Sequence, residues 1–215
     1  MERSLKLSEK LFCLAVNPKN GGFLLGASSV LAMTVTGSVF VELMEKELIS
    51  MTDKRIHVQS SVPQNDEIHD FFLNHLKLRK KDRKLRTWIS YFNMRGRKIQ
   101  KHFIRVLMQK NVLRTEERRI LFIPYEKVFV SDRELVEKIR QEVENTFMSK
   151  GIATDQSLIL ALMVAKTNLL PRIFAERAQR REARQFLKTL PETPVSKAVQ
   201  EAIQMMHAAV FAAAT

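Results

Sequence analysis

From Gly21 to Val41 the chain carries no charged residue. A run of that length approaches the ~20 residues that cross a bilayer, and it equally suits a helix that is apolar nearly all round at the centre of a globular core. Gly26, Ser28, Ser29, Thr34, Thr36, Gly37 and Ser38 dilute it, which favours the buried central helix over a membrane span.

A chain of 215 residues that is 45% hydrophobic, with only 6 Gly and 6 Pro, has enough apolar material to surround such a helix. The expected fold class is mostly α: a compact helical domain around a buried apolar helix, with one or two short β-hairpins, residues 1–215 forming one domain. The lone Cys13 cannot close an internal disulfide, and within the pattern Leu7, Leu11, Leu14, Ala15 it reads as a small buried hydrophobe. A reducing, cytoplasmic setting follows. The first apolar stretch is broken by Lys6, Glu9 and Lys10 and lacks a small-residue cleavage site before Asn17, so no secretory signal is expected.

Turn chemistry and periodicity divide the chain. A first helix opens at Ser8–Glu9 and runs to Val16, and Asn17 to Gly22 forms a dense turn. The central helix runs from Ser28 to about Glu47, becoming amphipathic after Gly37 with Val41, Leu43, Met44 and Leu48 inward. Ile49 to Val62 alternates around Thr52-Asp53-Lys54, as two strands of a hairpin do. Asn65 or Asp66 caps a helix over Ile68, Phe71, Phe72 and Leu76. Further helices are expected from Leu85 to Phe92 and from Arg97 to Lys110, the latter stopped by Asn111. Ile120 to Val130 reads as a second hairpin with its turn at Pro124 or just beyond. Helices then cover Asp132–Met148, Asp155–Leu169, a basic segment from Pro171 to Leu187, and a last stretch from Ser196 through Val199, Ile203, Met206, Val210 and Phe211.

Charge is as uneven as hydrophobicity. Residues 77–101 hold eleven Lys or Arg against the single acid Asp82, a local +10 in a chain whose net charge is +13. Such a density repels itself unless an anionic surface lies opposite. Leu85, Trp88, Ile89, Phe92, Ile99 and Phe103 interrupt it at helical spacing, so these cations belong to folded helices.

Chemistry is harder to find. Asp66, His69 and Asp70 share a helix face, but no second cluster completes a metal site, and no metal or other cofactor is expected. Gly21-Gly22 lacks a phosphate-loop pattern, and Ser28 and Ser29 lack a nucleophile elbow, so no catalytic residue is assigned. Binding remains. With pI ≈ 10.1 and Trp88, Tyr91 and Phe92 inside the basic block, nucleic acid is one class of partner, although a core stripe accounts for most of these aromatics.

Several short patterns, in order along nearly the whole chain, resemble the Golgi phosphoprotein 3 family. They are Leu7-Ser8-Glu9-Lys10-Leu11-Phe12-Cys13-Leu14-Ala15 with Gly21-Gly22; Gly37 through Val41-Glu42-Leu43; Asn65-Asp66-Glu67-Ile68-His69-Asp70; Thr87-Trp88-Ile89; Leu107 to Leu113; and Ile120-Leu121-Phe122. The resemblance implies a mostly helical domain without catalysis, attached peripherally to membranes through the headgroup of phosphatidylinositol 4-phosphate. The family pocket uses a tryptophan and an arginine on the apolar helix and two arginines on a later one. The matching positions here are Ala27, Thr36, Arg97 and Gln100. Only Arg97 is carried over, which removes the aromatic and two guanidinium forks but leaves a basic patch of Arg95, Arg97, Lys98 and Lys101 for anionic membrane lipids. The family hairpin also mediates self-association, implying a homo-oligomer surface at Ile120, Phe122, Tyr125 and Phe129.

Overall fold

In a computed structural model of the chain, the described residues are 4–24, 27–60, 62–78, 82–148 and 154–189. In chain order they begin with α1 (Leu7–Ala15), α2 (Ser28–Glu45), β1 (Ile49–Thr52), β2 (Arg55–Val58), α3 (Glu67–Lys77) and β3 (Arg83–Lys84). Next come α4 (Leu85–Asn93), α5 (Gly96–Gln109), β4 (Leu113–Ile120) and β5 (Ile123–Val130). Four helices complete the described part: α6 (Arg133–Phe147), α7 (Asp155–Lys166), α8 (Leu170–Ile173) and α9 (Arg177–Thr189). The mostly helical class with short hairpins is as expected. The helix anticipated from Ser196 onward lies outside the described residues.

The uncharged run supplies α2, and α2 is the centre of the molecule. It packs against α1, α3, α4, α5 and β1. From Leu31 to Leu43 every side chain is buried except half-buried Thr34. Burying residues such as Phe40 and Leu43 contributes about 1.5–3 kcal/mol each. The hydroxyls survive in this setting because they return to their own helix: Thr36 Oγ1 donates to the Ala32 carbonyl at 2.6 Å, and Ser38 Oγ to the Val35 carbonyl at 3.0 Å. No helix among the described residues is long and apolar enough to cross a membrane.

Around α2 the aromatic residues pack in two groups. Phe40 meets both Phe72 of α3 and Phe92 of α4 edge-on, and Phe12 of α1 stacks on Phe103 of α5 at 5.0 Å. Cys13 is fully buried among these groups, and burial pushes its thiol well above the usual range. The stripe Leu85, Trp88, Ile89 and Phe92 is buried to the same degree.

Two small sheets flank the helices. β1 and β2 pair antiparallel about a turn in which Asp53 and Lys54 both adopt positive φ, the conformation of a tight two-residue hairpin. Two residues of the basic block add β3 beside β2, a strand that periodicity did not reveal. Asp82 is tied there by His57, whose Nδ1 lies 2.8 Å from its carboxylate.

The second hairpin departs from expectation. Its strands are eight residues each, Leu113–Ile120 and Ile123–Val130, and its turn is Leu121-Phe122, so Pro124 lies within β5 and not at the turn. Arg114 to Arg119 is polar throughout and carries no alternating apolar signal. Leu121 and Phe122 adopt φ of 46° and 71°, a conformation that neither residue type advertises. The basic segment after Pro171 also divides: Pro171 sits inside the single turn of α8, and α9 starts only at Arg177.

Gly21 anchors the hairpin. Gly22 N–H donates to the Val128 carbonyl at 2.7 Å, and the Gly21 backbone, at φ 69°, passes so close to the Phe129 ring that a Cβ would overlap it. At Gly37, by contrast, a Cβ would meet nothing within 4 Å. Gly21→Ala should therefore destabilise the fold, by about 1–3 kcal/mol, from strain plus overpacking. Gly37→Ala should stabilise it by roughly 0.5–1 kcal/mol through helix propensity. Chemical denaturation of the two variants against the wild type checks both signs.

Candidate functional site

The basic block meets the apolar centre where α4 turns into α5. The chain bends through Met94 and Arg95, and the first turn of α5 comes down on α2 at Ala32: a Cβ on Gly96 would lie 3.1 Å from that of Ala32. The bend leaves an open recess of about 460 Å³ lined by Ala32, Met94, Arg95, Gly96, Arg97 and Gln100, among others. Met94 is 79% exposed at its edge.

The four candidate cations have different surroundings. Arg95 is folded back: its guanidinium lies 3.7 Å from the centroid of the Tyr91 ring, and Nη1 donates to the Tyr91 carbonyl at 3.1 Å. It thus satisfies an acceptor in the last turn of α4 and holds the bend. Arg97, Lys98 and Lys101 are exposed and, among the described residues, make no ion pair. The first turn of α5 contains no acid, so these cations add to the positive potential of the helix N-terminus instead of cancelling it. Such an end is the natural complement of an anion.

The surroundings change one turn later. Glu67 of α3 accepts from His102 Nδ1 at 2.7 Å and from Arg105 Nε at 3.0 Å. Partial burial acts to raise the Glu67 carboxyl, but these two partners outweigh it and hold it below the ordinary value. Arg105 is thereby paired, and the unpaired stretch ends at Lys101.

On the α2 side of the bend, the positions matching the family's tryptophan and arginine contribute no polar reach. Ala27 is 1% exposed, and Thr36, fully buried, is turned to its own helix. Gln100 is half-buried in the recess lining. The missing guanidinium groups are therefore not replaced from α2.

Asp66, His69 and Asp70 serve α3 itself. Asp66 caps the helix, accepting from the backbone N–H of Ile68 and His69 at 3.1 Å each, and Asp70 accepts from Gln64 N–H at 2.7 Å. His69 is fully buried with Nε2 2.7 Å from Glu42, which also accepts from Ser8 N–H at 2.6 Å. A smaller recess of about 220 Å³ adjoins this network, lined by Lys6, Lys10, Glu42, Glu45, Lys46 and His69 among others. Lys6 pairs with Asp66 and Lys10 with Glu142, so most of its charges hold helices to one another.

The hairpin candidates also separate. Phe122 is 93% exposed at the tip and Tyr125 is exposed on β5, while Ile120 pairs with Ile123 at the end of the ladder. Phe129 is half-buried on Gly21, with Arg114 4.8 Å above its ring. Leu121 and Ile123 are equally exposed neighbours of Phe122, which strand alternation alone did not single out.

Arg95 and Arg97 should behave oppositely in a stability measurement. Arg95→Ala removes a cation–π contact and a hydrogen bond and should cost about 1–2 kcal/mol. Arg97→Ala should stay within roughly 0.5 kcal/mol of wild type. Urea denaturation of the two variants separates a residue that holds the bend from one that faces outward.

A search of curated proteins gives no match. A scan against protein-family models does: residues 7–206 match the model described as Golgi phosphoprotein 3 (GPP34). With nearly its whole length covered, α2 at its centre and the α4–α5 bend beside it, the chain belongs to the Golgi phosphoprotein 3 family.

Proposed function

We propose that this protein is a non-enzymatic peripheral membrane protein that attaches to anionic phospholipid headgroups through Arg97, Lys98 and Lys101, with Arg95 at the edge of the patch. The observation that carries this reading is a run of unpaired cations on the first turns of α5 beside exposed Met94. Cations adjoining an exposed apolar group suit an anionic interface, where headgroup phosphates meet the charges and the methionine enters the acyl boundary. Family membership supports the same reading. Nucleic acid is less well served, because Trp88 and Phe92 are buried and Tyr91 is half-buried with Arg95 over its ring, which takes these aromatics out of reach of bases.

Selectivity is expected to be low. Recognition of one phosphoinositide needs several fixed donors around a phosphate, and Ala27, Thr36 and Gln100 stand where the family pocket carries an aromatic and two of its three arginines. The protein should float with vesicles of phosphatidylcholine plus phosphatidylserine and not with phosphatidylcholine alone. Salt should weaken the attachment, since the field is screened within about 8 Å at physiological ionic strength. Arg97→Ala should weaken it about five- to tenfold, the share of one cation near ~1 kcal/mol. Phosphatidylinositol 4-phosphate should give little advantage at matched total charge. Strong, salt-insensitive binding to neutral vesicles would refute the electrostatic reading, and a tenfold preference for phosphatidylinositol 4-phosphate that Arg97→Ala abolishes would restore the family pocket.

The hairpin is proposed as a self-association surface. Family resemblance supports it, and so does the exposed apolar tip of Leu121, Phe122 and Ile123, which water does not favour. Phe122→Ser should shift the protein toward smaller species in sedimentation velocity without lowering its melting temperature. An unchanged sedimentation profile would remove the hairpin from assembly.

A further inference from the structure

The stretch from Arg177 to Arg184 contains four arginines and one acid, Glu182, and none of them belongs to the recess at the α4–α5 bend. α9 turns its inner side to the protein: Ala183 is buried, and the Phe186 ring lies 5.9 Å from that of Phe147 on α6. Arg180, half-buried, spends its Nη1 on the carbonyls of Phe174 and Ala175, at 3.2 and 3.0 Å, and so closes the break between α8 and α9. The remaining three, Arg177, Arg181 and Arg184, are exposed and make no ion pair among the described residues.

Their spacing is what matters. At about 100° per residue, positions i, i+4 and i+7 fall within an arc of roughly 60°, and the three Cα atoms span about 10 Å along the axis. Glu182 falls roughly 130° from the middle of that arc, so the only acid within the stretch sits on the other flank and cannot neutralise the row. Guanidinium groups are weakly hydrated and fork onto phosphate oxygens with two parallel bonds, which makes such a row a receptor for phosphate groups more than for diffuse negative charge.

We infer that the outer flank of α9 is a second contact with the anionic membrane surface, through the phosphates of lipid headgroups at Arg177, Arg181 and Arg184. The inference rests on the membrane reading above and adds a surface to it. A lipid surface suits the row better than nucleic acid does, because the one aromatic of α9 is packed inward against Phe147 and leaves nothing on this flank for a base to stack on. Among the described residues no large apolar side chain is exposed beside the three arginines, so the contact argued here is with headgroups and weakens as ionic strength rises.

The test compares the wild-type protein with two α9 variants, R177Q/R181Q/R184Q and R177K/R181K/R184K, and with K98Q/K101Q at the α5 patch. All are titrated at low ionic strength with phosphatidylcholine vesicles with and without phosphatidylserine, and with a fluorescent RNA oligonucleotide. Circular dichroism confirms that each variant is folded. The glutamine triple should lose on the order of a hundredfold in partition onto the anionic vesicles, from three cations at ~1 kcal/mol each, and the lysine triple, which keeps the charge but not the paired forks, should fall between the glutamine triple and wild type. If the glutamine triple binds anionic vesicles like wild type while K98Q/K101Q does not, the α9 contact is wrong and the α5 reading stands. Loss of oligonucleotide binding by the glutamine triple with vesicle binding unchanged also overturns it and assigns the row to nucleic acid. Failure of the wild type to bind anionic vesicles sinks both readings.

Discussion

Burial of α2 is the constraint on which the remaining structure depends. A helix whose residues from Ser28 to Val41 carry no charge and that is apolar on nearly every side must be covered on nearly every side, and α1, α3, α4, α5 and β1 arrange themselves to do so. The cost of the hydroxyls inside that cover is met locally, by bonds from Thr36 and Ser38 to carbonyls of the preceding turn. At the far end of the helix Glu42, only 6% exposed, gathers Ser8 N–H and the His69 ring, so this buried carboxylate is bonded on both oxygens, as the fully buried Glu9 is by Lys6 N–H and Lys110. Loss of His69 or Ser8 N–H as a partner would leave a buried charge uncompensated, a larger penalty than the net gain from making either bond.

The same burial decides where charge can be placed. Ala27 and Thr36 are both inside, and α2 contains no Lys or Arg, so the positive groups beside it come from the helices that cover it. The close approach of Gly96 to Ala32 brings the start of α5, with its exposed Arg97 and Lys98, against α2. Arg95, Arg97 and Arg105 are equally charged, yet one holds a bend, one faces outward and one is paired to Glu67. Their chemical identity is the same; their neighbours assign the role.

Away from the centre the hairpin follows different rules. It is held at its base by Gly22, Val128 and the Phe129 ring on Gly21, while its distal half projects with both turn residues in a conformation that bulky side chains rarely adopt. An apolar tip maintained in that geometry is what supports the self-association proposed for the hairpin.

Much of this was legible in the residues themselves. The uncharged run determined a central buried helix, helical spacing of Leu85, Trp88, Ile89 and Phe92 determined a core stripe inside the basic block, and Asp66 and Asn111 marked helix ends, the latter with the positive φ its type favours. These are local properties: periodicity, capping and turn preference act over a few residues. What only the tertiary structure decided depends on groups distant in sequence. The polar strand Leu113–Ile120 has no apolar alternation and exists because β5 pairs with it; β3 exists because β2 lies beside it. Likewise no pattern along α5 distinguishes Arg105 from Arg97, because the distinction is made by Glu67, 38 residues from Arg105, whose carboxylate reaches one of them and not the other.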